Sequence, residues 1–121
     1  MRDNYCRYCG SVNGLTRDHV IPVSFASASR HYESKDIVSC CSECNSLLSD
    51  KLFFTIQDRA AYLYKVYSRK YSSAIKIPKW TKQELEELDI GLRELVTTGI
   101  KEQKVILARL ANLNRNRRAK S

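Results

Sequence analysis

Apolar and polar residues along this chain follow two different rhythms, and the change comes near residue 50. From there on, Phe53, Ile56, Ala60, Leu63, Tyr67 and Tyr71 recur at three- and four-residue steps, which marks one apolar face of a helix. Ile77-Pro78 interrupts the pattern. Thr81 followed by Glu84 has the form of a capping box, so a second helix is predicted to begin near Thr81. Leu85, Leu88, Leu92, Leu95 and Val96 give it an apolar stripe, and Ile106, Leu110 and Leu113 give the next segment another. Gly99 either separates two helices or lies within one. The phase nearly continues across it, and an isolated glycine costs a helix only about 1 kcal/mol.

The first fifty residues carry no sustained helical period. Gly14 to Pro22 and Asp36 to Cys40 read instead as two short strands of an antiparallel pair. A long polar connection, Val23 to Lys35, joins them, and loops of that length in small domains are often functional. A helix is expected from Ser42. The fold class is α+β, with a small core over 1–52, a helical extension over 53–114 packed on it, and a basic tail over 115–121. That tail has no apolar face and is expected to be frayed and disordered.

Length and composition narrow the picture. The chain has 121 residues, room for one domain or a small module with an extension. No run approaches the roughly 18 apolar residues of a membrane span, and the N-terminus carries no apolar leader, so no membrane association is expected. The net charge of +8 calls for a polyanionic partner, although charge by itself speaks to steering and solubility. Residues 101–121 carry seven Lys and Arg against one Glu, whereas residues 81–100 carry two against five acids. The acids Glu84, Glu86, Glu87 and Asp89 are expected to form a solvated face.

Five cysteines bring in chemistry. Cys6-Arg7-Tyr8-Cys9 and Cys41-Ser42-Glu43-Cys44 are two C-x2-C pairs, each able to turn two thiolates toward one tetrahedral ion. Together they close the coordination shell of Zn2+, the structural rather than catalytic arrangement. The odd residue, Cys40, is assigned as a small buried side chain ending a strand, the alternative being that it replaces Cys41 as the ligand through a C-x3-C pairing with Cys44. A fifty-residue module buries too little apolar surface to fold alone, and zinc offsets that deficit. Cysteines used as metal ligands also point to a reducing, cytoplasmic setting.

Inside this clasp stands Asp18-His19-Val20-Ile21-Pro22, and Asn45 directly follows the second pair. A carboxylate is a hard oxygen ligand suited to Mg2+ or Mn2+, and imidazole is the side chain that takes protons near neutrality. A carboxylate, an imidazole and a carboxamide converging in a positively charged cleft would serve metal-assisted hydrolysis of phosphodiesters. Arg17 and Lys51 flank the proposed cleft as phosphate contacts. Arg115, Arg117 and Arg118 in the tail are candidates for nucleic-acid binding. The tyrosines 62, 64, 67 and 71 and Trp80 read as packing residues.

The order and spacing of these residues, C-x2-C, then D-H-V-I-P, then D-I-V-S-C-C-S-E-C-N, resembles the zinc-containing HNH endonucleases over residues 4–51. The resemblance implies a ββα-metal core. It implies that Asp18 and Asn45 bind the catalytic divalent cation and that His19 is the general base. Asp36 falls at the central position, usually asparagine, that braces the loop orienting the base. Asp accepts but does not donate hydrogen bonds, so the brace differs here. The implied activity is hydrolysis of DNA, duplex or branched, by nicking or cleavage. The alternative is a non-catalytic zinc module that binds nucleic acid, or a protein partner through the helical extension.

Overall fold

A computed structural model describes residues 4–20, 37–49 and 51–119. Within them the chain runs β1 (Leu15–His19), β2 (Ile37–Cys41), α1 (Ser42–Leu48), α2 (Ile56–Lys70), α3 (Ser72–Ile75), α4 (Lys82–Glu86) and α5 (Ile90–Arg118). The two strands pair antiparallel from Leu15↔Cys41 to His19↔Ile37, and α1 follows β2 without a break. The α+β expectation and the order ββα are thereby met.

Local chemistry sets the ends of these elements. Cys41 is both the last residue of β2 and the cap of α1, its sulfur accepting from the Cys44 amide at 3.4 Å. Thr55 caps α2 through the Asp58 amide. The Thr81–Glu84 capping box forms in both directions. The helix it starts ends after five residues, because Asp89 caps a new helix by accepting from the Leu92 amide. Arg93 then donates to the carbonyls of Leu85, Glu86 and Leu88 and closes the end of α4. The break therefore falls at residues 87–89, and Gly99 lies inside one continuous helix. Glu84 and Asp89 serve as caps, not only as a solvated face.

Two further expectations need correcting. The stripe expected after Thr81 is only partly covered: Leu85, Leu88 and Val96 are half-buried, whereas Leu92 is half exposed and Leu95 is 71 % exposed. Full burial begins only at Ile106, Leu110 and Leu113, which pack on Ala60, Leu63 and Tyr67 of α2. The tail expected to fray is helical through Arg118. Polar bonds hold it rather than apolar contacts: Asn116 donates to the carbonyls of Arg7 and Tyr8 at 2.9 Å each and accepts from the Arg7 guanidinium at 2.8 Å. Lys120 and Ser121 lie outside the described residues.

One buried cluster spans the chain. Cys6, Tyr8, Cys9, Cys40, Cys41, Cys44 and Leu48 are continuous with Ala60, Leu63, Tyr67, Ile106, Leu110 and Leu113. Gly10 permits a close approach of the Asn112 side chain of α5 to the first cysteine turn. Its φ of 82° is left-handed, and a Cβ there would stand 2.3 Å from the Asn112 carboxamide nitrogen.

Candidate active site and metal centre

One turn and the junction of β2 with α1 carry the four paired cysteines. The Cys6–Cys9 turn is closed by the Gly10 amide donating to the Cys6 carbonyl at 2.9 Å, and it is tied to β2 by the Arg7 amide on Ser39. Cys41 and Cys44 face it from the β2–α1 junction. The sulfurs of Cys6, Cys9, Cys41 and Cys44 all lie within 4.8 Å of one another, and all four residues are buried. Cys9 and Cys41 are 3.7 Å apart. A tetrahedral zinc with bonds of about 2.3 Å places its sulfurs about 3.8 Å apart, so the four thiols fit that ion. This is a structural, zinc-type site. Cys40 is buried in β2 and outside the quartet, as the sequence suggested.

The helical extension completes the surroundings of these sulfurs. Arg109 of α5 donates from Nε to Cys9 at 3.3 Å and reaches Cys41 at 4.0 Å. The same guanidinium pairs with Glu43 at 3.1 Å and lies 4.6 Å from the Tyr67 ring centre. The Tyr67 hydroxyl stands 3.0 Å from the Cys44 sulfur. Burial, and then the charge of Cys44, push the Tyr67 phenol upward, which keeps it protonated as a donor. Without an ion, hydrogen bonding among the thiols splits the quartet, lowering Cys6 and Cys41 and raising Cys9 and Cys44. A cation and two helices thus face a quartet that binds metal as thiolates. Burial alone would raise the Glu43 carboxyl, but Lys70, Tyr71 and Arg109 hold it below its usual range.

The other candidate residues are distributed around β1. By the strand's pleat, Thr16 and Asp18 share one face and Arg17 and His19 the other. Asp18 is 7 % exposed, and its Oδ2 accepts from the Tyr8 hydroxyl and from Arg59 of α2 at 3.1 Å. Burial, with the Asp18 charge next, pushes the Tyr8 phenol upward, so Tyr8 remains a donor. Arg59 also donates to the carbonyls of His19 at 3.0 Å and Val20 at 2.8 Å. Asn45 is carried toward β1 by α1 and donates to the Thr16 hydroxyl at 2.9 Å, which in turn donates to the Cys40 carbonyl. His19 is half-buried at the end of β1 and paired with Ile37. Asp36 lies outside the described residues, as does His31.

Residues 6–51 match the HNH endonuclease family model. No relative among curated proteins and no similar solved structure was found. The HNH segment contains both cysteine pairs, Asp18, His19, Asp36 and Asn45, and it ends at Lys51. Arg59, Tyr67 and Arg109 lie beyond it, yet they make the bonds that hold its strand end and its sulfurs.

The expected phosphate contacts are placed as follows. Arg17 is exposed on β1, and Lys51 stands 5.3 Å from the Tyr62 ring centre. Arg115 lines a cleft of about 460 Å³ with Tyr5, Arg7, Val12, Asn112 and Asn116, between the first cysteine turn and α5. Arg117 stacks on Tyr64 at 4.4 Å, and Arg118 is exposed at the helix end. No helix among the described residues is long and apolar enough to cross a membrane.

Proposed function

We propose that this protein is a metal-dependent endonuclease that hydrolyses phosphodiester bonds in DNA. The observation that carries the reading is the HNH match over residues 6–51, a segment whose paired strands and helix carry both His19 and the closed four-cysteine centre. His19 acts as general base: its neutral imidazole takes the proton of a water attacking phosphorus in line. Among the described residues both donors to Asp18 take Oδ2, so Oδ1 would be the oxygen offered to a divalent cation, Mg2+ or Mn2+, with the side-chain Oδ1 of Asn45 as the second protein ligand. Such a cation would stabilise charge on the phosphoryl and leaving oxygens. The 3′ oxygen leaves, and the products carry 5′ phosphate and 3′ hydroxyl. Asp36 precedes Ile37, the strand partner of His19, so its position in the chain suits a brace for the base.

Arg17, Lys51, Arg115, Arg117 and Arg118 supply phosphate contacts in this reading. Replacing Arg115 and Arg118 together by Ala should weaken DNA binding and reduce the salt slope of log K by about 2. Fluorescence anisotropy across a salt series measures it, and an unchanged slope removes these two residues from the interface. Arg117 is left out of that pair because its stacking on Tyr64 also supports the fold.

A second reading has one observation in its favour. Asp18 is already charge-compensated by Arg59, as in a purely structural ion pair, and this suits a zinc module that binds nucleic acid or a protein without cutting. Plasmid nicking by the purified full chain with Mg2+, Mn2+ or EDTA separates the two. Conversion of supercoiled to open-circular DNA with either metal and none with EDTA supports the endonuclease. No cleavage of duplex, single-stranded or branched DNA under any of these conditions supports the module.

A further inference from the structure

Arg59 is 2 % exposed, lies in the first turns of α2 and sits outside the HNH segment. Its guanidinium gathers three acceptors from three successive residues of one strand end: the Asp18 carboxylate, the His19 carbonyl and the Val20 carbonyl. Its Nε is buried without a partner among the described residues. A cation held this way gains little for stability, since well-packed apolar residues serve as well as a buried ion pair and leave no donor unsatisfied. What the fork does supply is geometry. It ties the carboxylate before His19, the carbonyl of His19 itself and the carbonyl after it to α2, so the backbone that roots the imidazole is held on both sides. A planar guanidinium can do this, whereas an ammonium cannot serve the same fork.

We propose that Arg59 is a positioning residue for the catalytic strand end, setting the orientation of His19 and the free oxygen of Asp18 from the helical extension. This rests on the endonuclease reading above. Arg59 touches neither substrate nor cation in this role; it acts through Asp18 and His19. The HNH segment therefore depends on α2 for its active geometry, and not only for its fold.

The test uses the full chain with Arg59→Lys, which keeps the charge and loses the fork, and Arg59→Gln, which keeps a donor and loses the charge. Zinc content and far-UV circular dichroism establish that each variant is folded. Expected is a loss of about 10²-fold in kcat for nicking with KM for DNA unchanged, the size of effect that a misplacement near 1 Å produces. The His19 ring resonances, followed by NMR without DNA or divalent cation, should shift or broaden in both variants. A kcat equal to wild type with unchanged His19 resonances overturns the proposal. So does loss of zinc and helix in both variants, which would make Arg59 a folding residue alone. If the wild type itself does not cleave, the endonuclease reading fails, and the His19 resonances still decide whether Arg59 orients that side chain.

Discussion

Stripping the zinc-type site of its metal, or replacing Cys41 by Ser, is expected to unfold the helices together with the hairpin. The cause is the shared core: Cys6, Cys9 and Cys44 are fully buried in the cluster that contains Leu63, Tyr67 and Leu113. Without an ion, four thiols crowded within 4.8 Å can no longer bond to one centre. The Arg109 bond to Cys9 and the Tyr67 contact with Cys44 then lose the thiolates they face. Structural zinc contributes an apparent ~10–16 kcal/mol in small domains, more than a chain of this size has in reserve. Elemental analysis before and after chelation, with circular dichroism at each step, should show one zinc per chain and loss of helix as it leaves. Cys40→Ser, outside the quartet, should keep its zinc. Helix content that survives chelation would show that α2 and α5 stand without the cysteine centre.

His19→Ala should lower cleavage by about 10²–10⁴-fold, the usual worth of general-base assistance, while DNA affinity stays near that of wild type. The substitution leaves the backbone pairing with Ile37 and the Arg59 bond to the residue-19 carbonyl in place, so the strand end persists. Initial nicking rates at saturating DNA, beside anisotropy for binding, provide the measurement. A variant as fast as wild type would remove His19 from the chemistry. Asp18→Ala is a poorer probe of the same mechanism. It would leave Arg59 as a buried cation without its partner, a loss of about 3–5 kcal/mol that mixes unfolding with chemistry.

What could be read in the sequence was what repeats or pairs along it. The two C-x2-C pairs, each single strand, the Thr81–Glu84 cap and the apolar face of α2 were all legible because each depends on residues close together in the chain. The break at Asp89 was missed because a single capping side chain outweighed a continuous apolar phase. Arg59 and Arg109 were missed because charged residues in a helix read as solvated. Their positions carried a usable signal, however. Arg59 falls between Ile56 and Leu63 at three- and four-residue steps, and Arg109 falls likewise between Ile106 and Leu113. A cation on the apolar face of an amphipathic helix is either misplaced or paired in the core, and here both are paired. Asn112 and Asn116 sit one turn apart on the side of α5 that meets the first cysteine turn, which is why a tail without apolar residues is nonetheless held.

The bonds from Asn116 to Arg7 and Tyr8 join positions 109 and 108 residues apart, nearly the whole length of the chain. During synthesis the first cysteine turn is made long before its lid. At about 5–20 residues per second, some 5–20 s separate Cys9 from Asn116. Over that interval Cys6 and Cys9 are exposed to oxidants and to competing metals without the cover of α5. Early metal loading is therefore expected to protect yield, and a cell-free translation started without zinc should lose product that later zinc does not recover.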